Sequence, residues 1–217
     1  SVQMAEYVCH AVIRYFRELD LYAEEAAQAS WAFRRPRVRA DFSVGVMGLG
    51  VLGQRVAHAL RGFEFPVQGW SRTPRQVNGI TCHAGADGLG AFLASSQVLV
   101  NLLPLTPDTE NILNRDTLAQ LRPGAYVINV ARGAHLVEAD LLALLDSGHL
   151  AGATLDVFRT EPLPADHPFW RHRRITVTPH TSARTLRDES IAQIAGKIRA
   201  LGRGEPITGV VDPLRGY

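Results

Sequence analysis

Residues 43–61 read SVGVMGLGVLGQRVAHALR, with Gly48, Gly50 and Gly53 in the spacing G-x-G-x-x-G. Ahead of the glycines, Val44, Val46 and Met47 make a short β-favouring run. Behind them Val51, Leu52, Val56, Ala59 and Leu60 recur at helical spacing. A strand therefore feeds a helix through a glycine turn. Gly48 permits the tight turn, Gly50 lets the backbone approach a pyrophosphate, and Gly53 lets helix and strand pack closely. With Val51 and Leu52 at the helix start, these positions form the expected cradle for a dinucleotide, whose anion meets unpaired N–H groups there. A plain glycine turn and a methyltransferase cofactor are the alternatives.

The 217 residues are enough for one domain with attached elements, and 46% hydrophobic with 20% charged residues is ordinary for a globular chain. All but Lys197 of the 23 basic residues are arginine, but 21 acidic residues leave a formal charge of +2, which is no nucleic-acid signature. Cys9 and Cys82 are isolated, with no metal-ligand spacing, and read as small buried hydrophobes in a reducing compartment. No apolar run approaches the roughly 20 residues that span a bilayer, so no membrane association is expected and the expected location is cytoplasmic.

Upstream, Met4 to Leu21 reads as one amphipathic helix with Val8, Val12, Tyr15, Phe16 and Leu19 on its stripe. A second helical piece runs from Tyr22 through Ala26 and Ala29 to Trp31. The stripe can cover its own domain or a subunit contact. The following cluster Arg34, Arg35, Arg37 and Arg39 beside Pro36 reads as a solvated linker rather than a phosphate site.

Downstream, strands are expected at Phe65–Trp70, Ile80–His83, Val98–Leu103, Ala125–Val130, Ala151–Leu155 and Ile175–Thr178. Helical patterns fall at Ala91–Leu93, Asp116–Leu121 and Glu138–Leu145 between them. This alternation implies an α/β fold: a doubly wound parallel sheet of the Rossmann type with flanking N-terminal and C-terminal helices. Ligands of such sheets bind at the carboxyl ends of the strands. After Trp70 an acid for an NAD ribose is missing, and Ser71, Arg72 and Thr73 stand there instead. A guanidinium and hydroxyls suit a 2′-phosphate, hence NADP with NAD weaker, although Ser, Thr and Pro74 also make an ordinary polar turn. Leu103 and Pro104 close the next strand at the cofactor. Arg132, Asp156 and His180 then end successive strands, with Glu161 nearby. Singly, such residues are surface partners, caps or polar packers, and their shared edge is what marks them.

The segments GLGVLG (48–53), WSRTPR (70–75), NLLPLTPDT (101–109), INVARG (128–133), LDVFRTEPLP (155–164) and TPHTSA (178–183) together resemble the D-isomer-specific 2-hydroxyacid dehydrogenases, over nearly the whole chain. The resemblance implies NADPH-dependent reduction of a small 2-keto acid such as glyoxylate or hydroxypyruvate. It implies catalytic Arg132, an acid–base His180 and its partner Glu161. Asp156, Val130 and Ala131 would line the nicotinamide end. The residue chemistry agrees: the Arg132 fork suits a carboxylate, and a carboxylate beside His180 favours its protonated form. No metal is implied.

The resemblance further implies a homodimer through residues 1–33, a cofactor domain over 34–184 and a C-terminal helix and tail over 185–217, with VDPLRGY (211–217) as a complete end. The family normally carries a first domain that walls the substrate cleft. Without that wall, cofactor binding is expected to survive better than turnover. A non-catalytic dinucleotide-binding regulatory or scaffold module is the alternative from another class, and it leaves Arg132, Glu161 and His180 unexplained.

The Ser71–Thr73 reading generates a prediction. NADPH binds more tightly than NADH, and Arg72→Ala weakens NADPH binding about tenfold or more through loss of a charge-assisted contact. NADH affinity stays nearly unchanged. Fluorescence titration with both cofactors checks this, and equal losses for both would contradict it.

Overall fold

The computed structural model describes residues 2–184 and 187–210. The chain opens with helices α1 (Val2–Phe16) and α2 (Leu19–Ala27), then enters strand β1 (Val44–Met47) and helix α3 (Val51–Gly62). The alternation continues through β2 (Val67–Ser71), β3 (Thr81–Ala84), α4 (Gly85–Ser95), β4 (Val98–Asn101), α5 (Arg115–Leu118), β5 (Ala125–Asn129), α6 (Glu138–Asp146), β6 (Leu150–Leu155) and β7 (Ile175–Val177). The strands form one sheet in the order β3-β2-β1-β4-β5-β6-β7, and every pairing is parallel. The order reverses between β1 and β4, the crevice at which such sheets take ligands.

Side chains alternate across this sheet, so each strand feeds two cores. Val44, Val46, Val98, Val100, Tyr126 and Ile128 face the core shared with α1 and α3. Met47, Leu99 and Val127 face the opposite core, with Leu93 of α4 and Leu141 and Leu145 of α6. Both faces are thus covered, and β1, β4 and β5 are mostly apolar up to the asparagines that end β4 and β5.

The helix pattern at the start is corrected in three ways. The single helix expected over Met4–Leu21 breaks after Phe16, where Glu18 adopts φ 56°. Arg34 and Arg37 approach the Glu18 carboxylate at 3.5 and 3.4 Å and help hold that left-handed turn. The second helix stops at Ala27, short of Trp31. The apolar stripe is buried within its own unit: Val8 and Val12 are fully buried, Tyr15 stacks on Tyr126 at 4.5 Å, and Phe16 meets Phe42 and Phe65 edge-on. Each fully buried aliphatic side chain contributes about 1.5–3 kcal/mol, so this stripe is core and not a spare dimer face. Leu19, assigned to it from periodicity, lies beyond the break and is 47% exposed.

The arginine cluster is a solvated linker only at Arg35, which is exposed, whereas Arg34, Arg37 and Arg39 are half-buried. Arg37 lies 4.2 Å over the Tyr15 ring and donates to the Tyr15 carbonyl at 3.0 Å. Arg39 lies 4.8 Å from Phe16 and 4.6 Å from Phe65. Cation–π packing at such distances is worth about 0.5–2 kcal/mol each and pins the arm to the aromatic cluster.

Smaller differences have local causes. The second strand starts at Val67 because Glu64 turns at φ 63° and Pro66 has no N–H to donate. The strand from Val98 ends at Asn101, whose side chain accepts from the Leu103 N–H. Cys82 is only partly buried. Residues 1–182 form one unit and 183–217 a second. The second contains helix α7 (Arg187–Gly202), which exposes Ile191, Ile194, Ile198 and Leu201. The expected terminal segment 211–217 lies outside the described residues. Among them, no helix is long and apolar enough to cross a membrane.

Candidate cofactor and active site

One line of paired residues crosses all seven strands: His83, Trp70, Met47, Asn101, Asn129, Leu155 and Val177. The expected site residues follow this line in sequence. Gly48 comes one residue after Met47, Ser71 one after Trp70, Leu103 two after Asn101, Arg132 three after Asn129, Asp156 one after Leu155 and His180 three after Val177. Parallel register thus delivers them to one edge.

The glycine turn has the steric demands that its spacing implies. Gly48 sits at φ +106°, and a Cβ there would lie 2.8 Å from the Leu102 carbonyl oxygen. A Cβ on Gly53 would lie 1.8 Å from the Gly48 carbonyl oxygen, so any side chain would push α3 off β1. Gly50 differs, since nothing lies within 4 Å of its would-be Cβ. The open space fronts the N-terminus of α3, where the first turn holds no acidic residue and Val51 is 84% exposed. Leu52 is also exposed. A dinucleotide phosphate fits this cradle on steric and electrostatic grounds.

At the end of β2, Ser71 is buried and its hydroxyl donates to the Thr73 carbonyl at 2.8 Å, closing the turn. Arg72 and Thr73 are exposed. An Arg72 guanidinium nitrogen lies 3.8 Å from Asp108, a loose and solvent-exposed pair of little energetic weight.

Between β4 and β5 lies a buried polar circuit absent from the sequence reading. Asn101, Asn129 and His135 are all fully buried. Asn101 Nδ2 donates to Asn129 Oδ1 at 3.0 Å, and Asn129 Nδ2 donates to the Arg132 carbonyl at 3.1 Å. Leu103 N–H and Ala131 N–H are held by the two asparagine oxygens at 3.2 and 3.3 Å. His135 places Nδ1 3.1 Å from the Arg132 carbonyl and Nε2 3.2 Å from the Pro104 carbonyl. Leu103, Val130 and Ala131 are buried, whereas Pro104 and Arg132 are exposed. Arg132 Nη1 donates to the Ala131 carbonyl at 2.7 Å. Gly133 lets this loop touch the next one, because a Cβ there would lie 1.9 Å from the Phe158 carbonyl carbon.

That next loop carries Glu161. One of its oxygens accepts from the Phe158 N–H at 2.9 Å, and the other lies 2.8 Å from His180 Nδ1. A carboxylate only accepts in such a pair, so Nδ1 carries the hydrogen and Nε2 is the atom left to act. Burial raises the Glu161 pKa, but the bonds from His180 and Phe158 together outweigh it and leave the carboxyl below its ordinary value.

Asp156 is fully buried and holds the loop on which His180 sits. Its Oδ1 accepts from Thr178 Oγ1 at 2.5 Å and from Thr181 N–H at 2.8 Å, while Oδ2 accepts from Ser182 N–H at 2.8 Å. His180 itself is left-handed at φ 53°, with its N–H donating to the Asp156 carbonyl at 2.9 Å. Tyr7 OH lies 2.6 Å from Thr178 Oγ1. Since the single Thr178 hydrogen goes to Asp156, Tyr7 is the donor. Arg159 adds a further brace, donating Nε to the Leu136 carbonyl at 2.9 Å. Tyr7, His135 and Arg159 were missed because each reads in sequence as an ordinary helix or loop residue.

A parallel doubly wound sheet with a glycine turn and a His–Glu pair at its carboxyl edge defines a dinucleotide-dependent oxidoreductase domain. The sequence pattern of the D-isomer specific 2-hydroxyacid dehydrogenase, NAD binding domain, matches residues 9–182, and the chain belongs to that family. It is 53% identical to the glyoxylate/hydroxypyruvate reductase A of Serratia proteamaculans over 99% of this chain and 69% of that protein. The NADPH-dependent glyoxylate/hydroxypyruvate reductase of Sinorhizobium meliloti, solved with NADP and sulfate, superposes with a TM-score of 0.97 at 39% identity. That match covers 100% of this chain and 70% of the other. A Xanthobacter autotrophicus D-isomer specific 2-hydroxyacid dehydrogenase, solved with NADPH and MES, gives a TM-score of 0.95 at 43% identity, covering 99% of this chain and 89% of the other.

The lowered Glu161 pKa sets a pH dependence. Its ordinary value is 4.5, so the stabilisation from its hydrogen-bonded anion is complete above that and is lost as pH falls through the lower folded value. Below about pH 5 the stability difference between wild type and Glu161→Gln therefore shrinks as pH falls. Urea midpoints measured from about pH 5 downward check it; a difference that widens over that range contradicts it.

Proposed function

We propose that the protein uses NADPH to reduce a small 2-keto acid of the glyoxylate and hydroxypyruvate class to the 2-hydroxy acid, with NADH a weaker donor. The observation that carries this reading is the 2.8 Å His180–Glu161 pair at the same sheet edge as Arg132 and the glycine cradle. The names of the relatives at about half identity support the substrate class. The absence of an acid after Trp70, with exposed Arg72 in its place, supports the phosphorylated cofactor.

In this reading Gly48, Gly50, Val51, Leu52 and Gly53 hold the pyrophosphate, and Ser71, Arg72 and Thr73 form the 2′-phosphate turn. Leu103, Pro104, Val130, Ala131 and Asp156 frame the nicotinamide end. When bound, NADPH supplies the hydride that the keto carbon accepts. Arg132 binds the substrate carboxylate through its planar fork and polarises the neighbouring keto oxygen. As that oxygen gains charge, His180 passes it the proton on Nε2. Glu161 keeps the Nδ1 hydrogen and stabilises the imidazolium from which that proton comes. Asp156, by holding residues 178–182, keeps Nε2 aimed.

Loss of NADPH absorbance on adding glyoxylate or hydroxypyruvate tests the activity. His180→Gln lowers kcat by about a hundredfold or more, the usual worth of a positioned acid, with NADPH affinity retained. Arg132→Lys keeps the charge but loses the fork, and raises KM for the keto acid about tenfold. A protein that binds NADPH but reduces neither acid would instead be a regulatory or scaffold module.

We further propose a cytoplasmic homodimer. Burial pushes the Cys9 thiol up to about 11, so it stays protonated, and neither cysteine is paired, as suits a reducing compartment. Because the α1 stripe is core, the contact within residues 1–33 is the exposed surface after it: Leu19, Leu21, Trp31 and Phe33, the last two 102% and 89% exposed. Sedimentation at micromolar concentration finds a dimer, and Trp31→Asp with Phe33→Asp shifts it to monomer. A wild-type monomer contradicts the assignment.

A further inference from the structure

The one fully buried imidazole on the unit's functional edge touches no expected ligand. His135 lies in the 3₁₀ turn Gly133–His135, and each of its ring nitrogens faces a backbone carbonyl: Nδ1 to Arg132 at 3.1 Å, Nε2 to Pro104 at 3.2 Å. Those carbonyls belong to different loops, the first carrying Arg132, assigned to the substrate carboxylate, with Val130 and Ala131 beside it, and the second carrying Leu103 and Pro104 of the nicotinamide end. Both acceptors are backbone groups of residues placed in the site.

We propose that His135 is a positioning residue that fixes the Arg132 loop against the Leu103–Pro104 loop, and so sets the distance between the substrate anchor and the cofactor. The inference rests on the functional reading above for what those loops hold, but the bridge itself is structural. Burial pushes the imidazole below its ordinary value, so the ring is neutral at neutral pH and holds one N–H for two acceptors. The tautomer decides which carbonyl accepts that hydrogen, and each carbonyl has a second donor. Arg132 O also accepts from Asn129 Nδ2 at 3.1 Å and from the His135 N–H at 3.2 Å, and Pro104 O accepts from Thr109 Oγ1 at 2.7 Å. Those second donors also mean that replacing the ring leaves neither carbonyl unpartnered, so variants are expected to fold.

The geometry supplies a discriminating pair of substitutions. An asparagine amide can occupy the place of Nδ1 and a glutamine amide that of Nε2. His135→Asn keeps the Arg132 contact and loses Pro104, while His135→Gln does the reverse. If His135 positions both loops, His135→Asn weakens NADPH binding about threefold to tenfold with KM for the keto acid little changed. His135→Gln raises that KM by a similar factor and, because Val130 and Ala131 share the Arg132 loop, weakens NADPH binding as well. Amide hydrogen exchange on the cofactor-free protein adds a readout that needs no activity: 103–109 exchanges faster in the asparagine variant, 131–136 in the glutamine variant. Equal shifts of both constants and both segments in both variants, or no shift in either, overturn the inference. A wild type that binds NADPH without reducing a keto acid overturns the functional reading instead, and the exchange experiment then still decides the bridge.

Discussion

Parallel register is the constraint on which the rest depends. A parallel strand pair fixes which residues lie side by side, and six such pairings align His83, Trp70, Met47, Asn101, Asn129, Leu155 and Val177 across the sheet. Each loop that carries site chemistry leaves within three residues of that line. A slip of one residue in any strand would move its loop by about 3.3 Å and turn its side chains to the opposite core. The apolar alternation that fills the two cores is therefore also what aims Arg132, Asp156 and His180. Stability and site geometry share one cause here: Val127 facing one core and Ile128 the other is what places Asn129, and then Arg132, at the edge.

The fold was legible in the sequence because its signals are local. The glycine spacing, the apolar runs and the stop at Pro104 each act within a few residues, and the strands lie within two residues of where pattern reading puts them. The N-terminal helices were less legible. Periodicity carries on through Leu19, and the break at Glu18 depends on Arg34 and Arg37, many residues away. Likewise the arginine cluster reads as solvent-facing until Tyr15, Phe16 and Phe65 are brought beneath it. Strand ends named the candidate residues, but what holds them arises from contacts between distant segments. No spacing rule links His135 to Pro104, or Tyr7 to Thr178.

The supports divide by chemistry. Between β4 and β5 the scaffold uses neutral amides, Asn101 and Asn129, whose oxygens and nitrogens satisfy both loops at once. A buried amide pair with its partners in place rigidifies at low electrostatic cost, whereas an apolar pair of similar size would leave the N–H groups of Leu103 and Ala131 unpaired. Gly133 then allows the Arg132 loop to lie against Phe158, the residue whose N–H holds Glu161. Arg132 and the His180–Glu161 pair are thus coupled through backbone contact, which transmits position with less slack than side-chain contact would.

Around β6 and β7 the scaffold uses a buried carboxylate instead, and the choice follows from what it must hold. His180 occupies a left-handed conformation that a residue with a Cβ adopts at a cost of about 1–3 kcal/mol. The turn also points successive N–H groups, at Thr181 and Ser182, toward the buried Asp156 carboxylate. An anion is the strongest acceptor for such a nest, and Asp156 takes both N–H groups together with the Thr178 hydroxyl. Tyr7 then donates to Thr178, so a residue of the first helix becomes the outermost link of the chain that ends at the histidine. The Asp156 carboxylate is held by Thr178, Thr181 and Ser182. A salt-bridged Asp156 would answer to one side chain; this one answers to the backbone of the loop, and it stays satisfied only while that loop keeps the shape that presents His180.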